Sequence, residues 1–457
     1  LGRLKLGGNE FDGLSASFSW DGARWAVRDA VLRHPGGGEL KADAQQDYDD
    51  SGKGEFRIGV TSTLKPDLLA PLLDAKGSAR LALFKFHDAP VLTLSGRGSS
   101  PGLDTLSAAG QVQFGRVSYR GVEARRGDAR FRYQGRVITV DSFDVTRAEG
   151  AASGGLVFDF GNDTVEALQV RSTLNPPDAA RWVDPDILPE VTPYRFGKHP
   201  PSVLIDGLYD CRKGGTRTRL NVTVDAPNGL DYTFIGKELR FGPAKGKLFF
   251  TDERLKLSDT RAELFGGTVT GDGSISLLRS SPGHTASVRI SGVNFASLSK
   301  LYFDYEGSEG RIDGSYNFTG RGDDGRSMRG EGEVRVTDGN VFAIPFLGPL
   351  SDILNRIVPG LGFSKAHRAA ASFGAADGII TTKDFNVTGK GFSMIGDGRI
   401  WFADDRMDFD VRINAQGLPG VLLFPVSKLF EYRAQSKFSK PEWRPKMMPR
   451  IGGERPQ

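Results

Sequence analysis

A four-fold internal repeat constrains this chain more than any other feature. A turn, a strand, an aspartate and a second strand recur as "DGARWAVRDAVL" from Asp21, "QGRVITVDSFDV" from Gln134, "DERLKLSDTRAEL" from Asp252 and "DGIITTKDFNV" from Asp377. The turn positions 22, 135, 253 and 378 are separated by 113, 118 and 125 residues. A second marker, the apolar residue where a strand gives way to a short helix or cap, stands at Leu64, Leu174, Val293 and Leu418, 39 to 42 residues after each turn. Two markers that keep one spacing through four copies identify a repeat architecture, in which each copy needs its neighbours to bury its apolar face. The boundaries that follow are an incomplete first β repeat at 1-73, a second at 74-185, a third at 186-305, a fourth at 306-433, and a closing strand with a basic tail at 434-457. The first copy is shorter than the others by roughly 40 to 50 residues, which predicts further chain ahead of Leu1.

Within a copy the apolar residues alternate, as at Phe56, Ile58 and Val60 or at Phe409, Val411 and Ile413, the period of strands with one apolar and one wetted face. Glycine, at 60 of 457 residues, is close to twice its usual level, and the sequence reading assigns the excess to tight turns between strands. About seven strands per copy would make, at roughly 4.8 Å per strand, a sheet on the order of 130 Å across. An apolar face of that extent aggregates unless it is covered. The fold expected is therefore mainly β: a long repetitive antiparallel sheet curled into an open groove, with short amphipathic helices at the unit ends. Candidate groove-lining residues are Phe56, Ile58, Val60, Leu168, Val170, Val288, Ile290, Phe409, Val411 and Ile413.

Several function classes are disfavoured by composition. Sixty basic against 56 acidic residues leave a net charge of +4, without the lopsided basicity of a nucleic-acid binder. One cysteine, Cys211, allows neither an intrachain disulfide nor a Cys-rich zinc site. The histidines at 34, 87, 199, 284 and 367 are scattered through the repeats with no ligand spacing, so no metal, cofactor or catalytic residue is assigned. "DYDDSGKGEFRI" from Asp47 begins like a calcium loop, but Ile58 stands where a bidentate Glu is required, so it reads as an acidic hairpin turn. The two "RGD" triplets, at Arg126 and Arg321, read as chance turns, and the sequons at Asn221, Asn317 and Asn386 fall in expected strands. In the arginine-rich run 114–136, Arg130 and Arg132 read as a wetted strand face, with attraction of an anionic headgroup as the second reading. "GGTVTGDG" from Gly266 lacks the Lys-Ser/Thr of a phosphate loop and is read as hairpin glycines. The longest apolar run, "LPGVLLFPV" from Leu418, is less than half of the roughly 20 residues that cross a bilayer as a helix.

The last copy carries a more specific likeness. "YEGSEGRIDGSYNFTGRG" from Tyr305, "GEGEVRVTDGNVFAIPFLGPLSDILNRI" from Gly330, "FGAADGIITTKDFNVTGKGFSMIGDGRIWFADDRMDFDVRI" from Phe373 and "LFEYRAQSKFSKPEWRP" from Leu429 resemble the C-terminal region of the AsmA-like family of bacterial envelope proteins, the relatives of the translocation and assembly module. Pro441 and Pro445 are kept, whereas Ser436-Lys437 replace the family's glycine. The resemblance implies a periplasmic protein, tethered to the inner membrane by an N-terminal helix outside this sequence, that carries phospholipids by their acyl chains along a β-groove toward the outer membrane. It implies no catalysis. The partners implied are phospholipid acyl chains, the inner membrane, and the outer membrane or an envelope protein, with no nucleic acid. An assembly factor that helps insert outer-membrane proteins is the alternative, and an outer-membrane barrel or adhesin a third reading.

One helix interrupts the β pattern of the last copy. In "IPFLGPLSDILNRIVPGLGFS", Ile344 to Ser364, the residues Phe346, Leu350, Ile353, Leu354 and Ile357 share a helical face. The extra helix at 345-363 is expected either to cap the sheet or to act as a gate between Gly348-Pro349 and Pro359-Gly360.

Overall fold

The computed structural model describes residues 2–51, 54–183, 185–212, 214–234, 237–278, 280, 282–304, 309–321, 324–339, 347–357, 366–390, 392–415 and 431–446. The chain divides into two compact units, one of residues 1–230 with 247–252 and one of 231–246 with 253–457.

Each unit is built on an antiparallel ladder in which every strand pairs with its neighbour in sequence. In the first unit the ladder runs through β1 (Gly13–Trp20), β2 (Arg24–Arg33), β3 (Glu39–Tyr48), β4 (Gly54–Ser62), β5 (Val91–Gly98) and β6 (Ser107–Phe114). It continues through β7 (Arg126–Gln134), β8 (Val137–Thr146), β9 (Ala151–Asp159), β10 (Thr164–Ser172), β11 (Ser202–Asp210) and β12 (Arg219–Ala226). In the second unit it runs through β13 (Arg254–Leu264), β14 (Gly267–Ser276), β15 (His284–Asn294), β16 (Arg311–Arg321), β17 (Asp324–Thr337) and β18 (Ala366–Ala376). There it continues through β19 (Ile379–Gly389), β20 (Phe392–Trp401), β21 (Arg406–Ala415), β22 (Glu431–Lys437) and β23 (Trp443–Pro445).

The repeat aspartate does not separate two strands. It sits in a β-bulge inside one, where the register shifts between Val27 and Ala30, Val140 and Phe143, Leu257 and Thr260, and Thr382 and Phe385. A bulge leaves an N–H without a ladder partner, and a buried or half-buried N–H needs one. At two of these four sites a carboxylate from the next strand supplies it. The Asp29 N–H donates to Asp43 Oδ1 at 2.9 Å and the Asp259 N–H to Asp272 Oδ1 at 3.0 Å. Bulges in β10 and β15 are clipped in the same way, Gln169 N–H to Asp206 Oδ1 at 3.1 Å and Gly292 N–H to Asp313 Oδ1 at 2.8 Å. All four clipped residues have positive φ, between 51° and 64°.

Part of the glycine excess also has a different explanation from the one the sequence suggested. Some glycines do make turns, as Gly22, Gly135 and Gly378 do with φ of 90°, 54° and 78°. Others lie inside strands under cross-strand aromatic rings: a Cβ at Gly110 would sit 2.8 Å from the Phe131 ring, and one at Gly332 2.6 Å from Phe373. The rings lie down over these glycines, which covers backbone that a glycine alone would leave bare.

At the marker positions the chain leaves the ladder into short helices that cover strand ends. Leu64, Leu174 and Val293 are 2%, 2% and 0% exposed, and Leu418 lies outside the described residues. In the first unit Leu64 joins Phe11 and Leu32, packed by Leu4, Leu14, Leu40, Leu68 and Leu69. Leu4 and Phe11 belong to a hairpin (Leu4–Leu6 with Asn9–Phe11), and Leu68 to the short helix Pro66–Leu72. Hairpins at corresponding points of the next two copies are Val117–Tyr119 with Val122–Ala124, and Leu230–Phe234 with Lys237–Phe241. The last copy places the helix Gly348–Ile357 there.

The expected curled, open groove is corrected by this structure. Pairing leaves the ladder unclosed among the described residues, β1 bonding β2 alone and β23 bonding β22 alone, and no sheet is strongly curled. The apolar face at the end of the second unit is filled instead of open. Phe385, Val387, Phe392, Met394, Met407, Phe409, Val411, Ile413, Tyr432, Ala434 and Trp443 form one core with Leu347 and Leu350 of the helix segment. The T-shaped contacts of Phe409 with Phe385 (5.6 Å) and Trp443 (6.4 Å) leave no channel at that point.

Candidate functional site

The ten proposed groove residues do not share one surface. Phe409, Val411 and Ile413 are 2%, 1% and 2% exposed within the closed core, so they line nothing that a ligand reaches. Phe56 is buried in the first unit, where Ile58 and Val60 are half-buried, and Ile58 faces a concavity it shares with Glu55, Arg57, Arg97 and Arg132. Leu168 and Val170 lie on opposite faces. The bulge between Ala167 and Val170 keeps Ala167 and Val170 on one side, opposite Gly207 and Ile205, and turns Leu168 out to 40% exposure. Val288 and Ile290 remain half-buried on the apolar face of β15. Of the helix residues, Leu350 is fully buried and Ile353 packs against the same core; Phe346 lies outside the described residues, as do the side chains of Leu354 and Ile357. A continuous apolar trough, and the phospholipid bridge between membranes that required it, are therefore set aside, together with the outer-membrane assembly reading that stood as its alternative.

What the second unit does present is a local concavity of about 1390 Å³ over β13 to β20. The apolar face of the same strands has its floor along one register row. Leu257 opposes Gly273, Gly273 opposes Ala286, Ala286 opposes Phe318, Phe318 opposes Gly330, and Gly330 opposes Ala375. Two small residues follow each large one along this row, so the floor is sunk between Leu257 and Phe318 and again beyond Phe318. An aromatic stair continues from it. Phe318 stacks on Tyr316 at 4.7 Å with His284 edge-on at 5.9 Å, and Tyr316 leans on Phe373 at 5.5 Å. Burial among these rings pushes the Tyr316 hydroxyl above its ordinary pKa, so it stays neutral.

The concavity itself is lined by Arg254, Lys256, Arg329 and Arg399 with Asp272, Glu331 and Asp377, four cations to three anions. Lys256, Asp272, Arg329 and Glu331 are strand neighbours of floor residues, so their side chains point to the other face of the sheet. Arg329 pairs with Asp377 at 2.7 Å, and Asp272 is committed to the Asp259 clip. The arrangement can hold an apolar body on the floor. It brings together no nucleophile and general base within hydrogen-bond reach among the pairs described.

The most strongly perturbed carboxylate lies elsewhere and has a structural task. Asp210, with its side chain fully buried, is held far below the usual carboxylate range, first by the hydrogen bond from Arg212 and then by Arg217. Its N–H donates to Thr218 Oγ1, whose N–H donates to Asp252 at 2.8 Å, so the network ties the turn after β11 in place. Asp49, in the calcium-like segment, accepts from the N–H and hydroxyl of Ser51 and shapes the β3–β4 hairpin. The first "RGD", Arg126 to Asp128, opens strand β7 and does not form a turn. Arg130 and Arg132 are exposed on β7, with Arg132 paired to Asp141.

Sequence reasoning missed the floor residues Leu257, Ala286, Phe318 and Ala375. The signal available was the cross-strand alternation of glycine with aromatic residues, which only a correct register reveals. No family model matches the chain, and no curated protein matches it, so the likeness to the AsmA-like proteins rests on the quoted residues alone.

Proposed function

We propose that this chain is a non-catalytic binding protein that holds the apolar body of an amphipathic ligand on the uncovered apolar floor of the second unit. One contrast carries the reading. The same sheet face that is packed solid around Phe409 is left uncovered around Ala286 and Phe318, both half-buried. An uncovered apolar floor of this kind is costly in water unless something occupies it. Seating a ten-carbon chain there is worth at most about 8 kcal/mol at roughly 0.8 kcal/mol per CH₂. Association costs bring that to a micromolar affinity or weaker. A periplasmic setting follows from the family resemblance only and belongs to the same proposal.

The test uses dansyl-undecanoic acid as the probe and fluorescence titration as the readout. Ala286→Trp, which fills the floor, should weaken binding at least tenfold with an unchanged circular dichroism spectrum. Ile58→Trp in the first unit should leave it unchanged. Equal affinity of the wild type and the Ala286→Trp variant would overturn the assignment.

A further inference from the structure

The floor of the second unit is apolar except at two places. Its register rows cross β16 at Gly320, Phe318, Tyr316 and Gly314. In those four rows the only side chains able to form a hydrogen bond are Tyr316 itself and His284, which opposes Gly320. Neither makes a hydrogen bond within the described residues. A few polar groups set in an otherwise apolar site are what fix the orientation of a ligand there.

The two groups sit in different surroundings. His284 is half-buried at the start of β15; its ring leans over Gly320, where a Cβ would collide with Nε2, and meets the Phe318 ring edge-on at 5.9 Å. Its other row neighbour, Ile275, is 47% exposed, so this end of the floor stays within reach of water. Tyr316 stands two rows further in, between Val288 and Gly332, with Phe318 stacked on it. A charge seated beside Tyr316 would be desolvated by apolar neighbours on every side, whereas one at His284 keeps part of its hydration. The four rows carry no cation. Lys256, Arg289, Arg329 and Arg335 are strand neighbours of row residues and point to the other face.

We infer that His284 reads the head group of a single-chain carboxylate, of the fatty-acid class, whose chain lies over Phe318 and Tyr316; the inference rests on the binding reading proposed above. An imidazole N–H donates to one carboxylate oxygen, and the other oxygen stays hydrated at the Ile275 end. A phosphate head group finds no guanidinium or ammonium in these rows to balance its charge, so it fits this floor less well. From the Gly320 row to the Gly314 row the floor runs roughly 20 Å along β16, enough for the ten-carbon chain considered above.

The probes are dansyl-undecanoic acid and its methyl ester, which differ only in the head group, titrated by fluorescence against the full chain. His284→Phe, which keeps a ring against Phe318, should lower the ratio of acid to ester affinity at least tenfold while the ester affinity stays within about twofold. His284→Gln, which keeps an N–H donor, should restore part of the ratio, and Tyr316→Phe should leave it as in the wild type. An unchanged ratio in His284→Phe, or a ratio that falls in Tyr316→Phe instead, would overturn the inference while leaving the floor as the binding site. Failure of the wild type to bind either probe would overturn the inference together with the reading beneath it.

Discussion

Replacing Phe409 by alanine tests whether the apolar face of the second unit is filled. The ring is 2% exposed, lies over Gly398, and makes T-shaped contacts with Phe385 and Trp443. Removing it forfeits about 2 to 3 kcal/mol of transfer free energy, and each edge-to-face pair adds about 0.5 to 1.5 kcal/mol. Its neighbours are held by the ladder and cannot collapse fully into the space, so the total falls within the roughly 3 to 5 kcal/mol typical of buried Phe→Ala changes. Urea unfolding followed by tryptophan fluorescence reads this directly, since Trp443 touches the ring. With a slope of about 2 to 3 kcal/mol per molar, the midpoint of the second-unit transition should fall by at least 1 M or so. Phe318→Ala, on the half-buried floor, should cost about 1 to 1.5 kcal/mol. A loss below about 1 kcal/mol for Phe409→Ala, or equal losses at the two positions, would refute the filled core.

Other expectations concern the clips, the glycines and the charged groups. Asp272→Ala removes the acceptor of the Asp259 N–H and should cost about 1 kcal/mol in the same urea assay, with Asp272→Asn recovering part of it. Gly332→Val drives a side chain into the Phe373 ring and should cost about 1 to 3 kcal/mol, which Phe373→Ala in the same protein should partly relieve. Arg147, 12% exposed, joins Glu149 to Asp178 and lies 5.6 Å from the Trp182 ring centroid, so Arg147→Ala should lower the first-unit melting transition by about 2 kcal/mol. Three second-unit carboxylates are held below their ordinary pKa: Asp384 first by the Ser372 hydroxyl, Asp405 by the Ser439 hydroxyl and Asp408 by the Arg433 guanidinium. Because the folded values are depressed, their contribution is present above the unfolded value near 3.8 and is lost as pH falls through the folded ones. Urea midpoints should be flat from pH 7 to about 5 and drop below about 4, less steeply in Asp408→Asn.

Much of the ladder was legible because strand periodicity and the two repeat markers are local signals. The alternation at Phe409, Val411 and Ile413 does define one apolar face, and the segment after Gly348 is helical. What covers that face is a long-range fact. No pattern within β21 tells that Trp443, Tyr432 and Phe385 close over it, so an apolar stripe was read as an open wall. Bulges defeat counting by two: Leu168 and Val170 match in period but not in side, because Gln169 takes a φ of 51° between them. Glycine was ambiguous for the same reason. Gly266 serves a turn, while Gly271 and Gly273 a few residues on lie inside β14, and only the partner strand decides which role applies.

Cysteine accessibility tests the central claim most directly, namely that one sheet face is open for a ligand at Ala286 and shut at Ala434. Ala286→Cys and Ala434→Cys are made in a Cys211→Ser background, because Cys211 is itself exposed. Each is labelled with a small maleimide, with and without dansyl-undecanoic acid. The half-buried floor position should label readily and be protected by the probe, while position 434, 0% exposed in the wild type, should label at least a hundredfold more slowly with no effect of the probe. Comparable labelling at the two sites, or protection by the probe at 434 and not at 286, would contradict it.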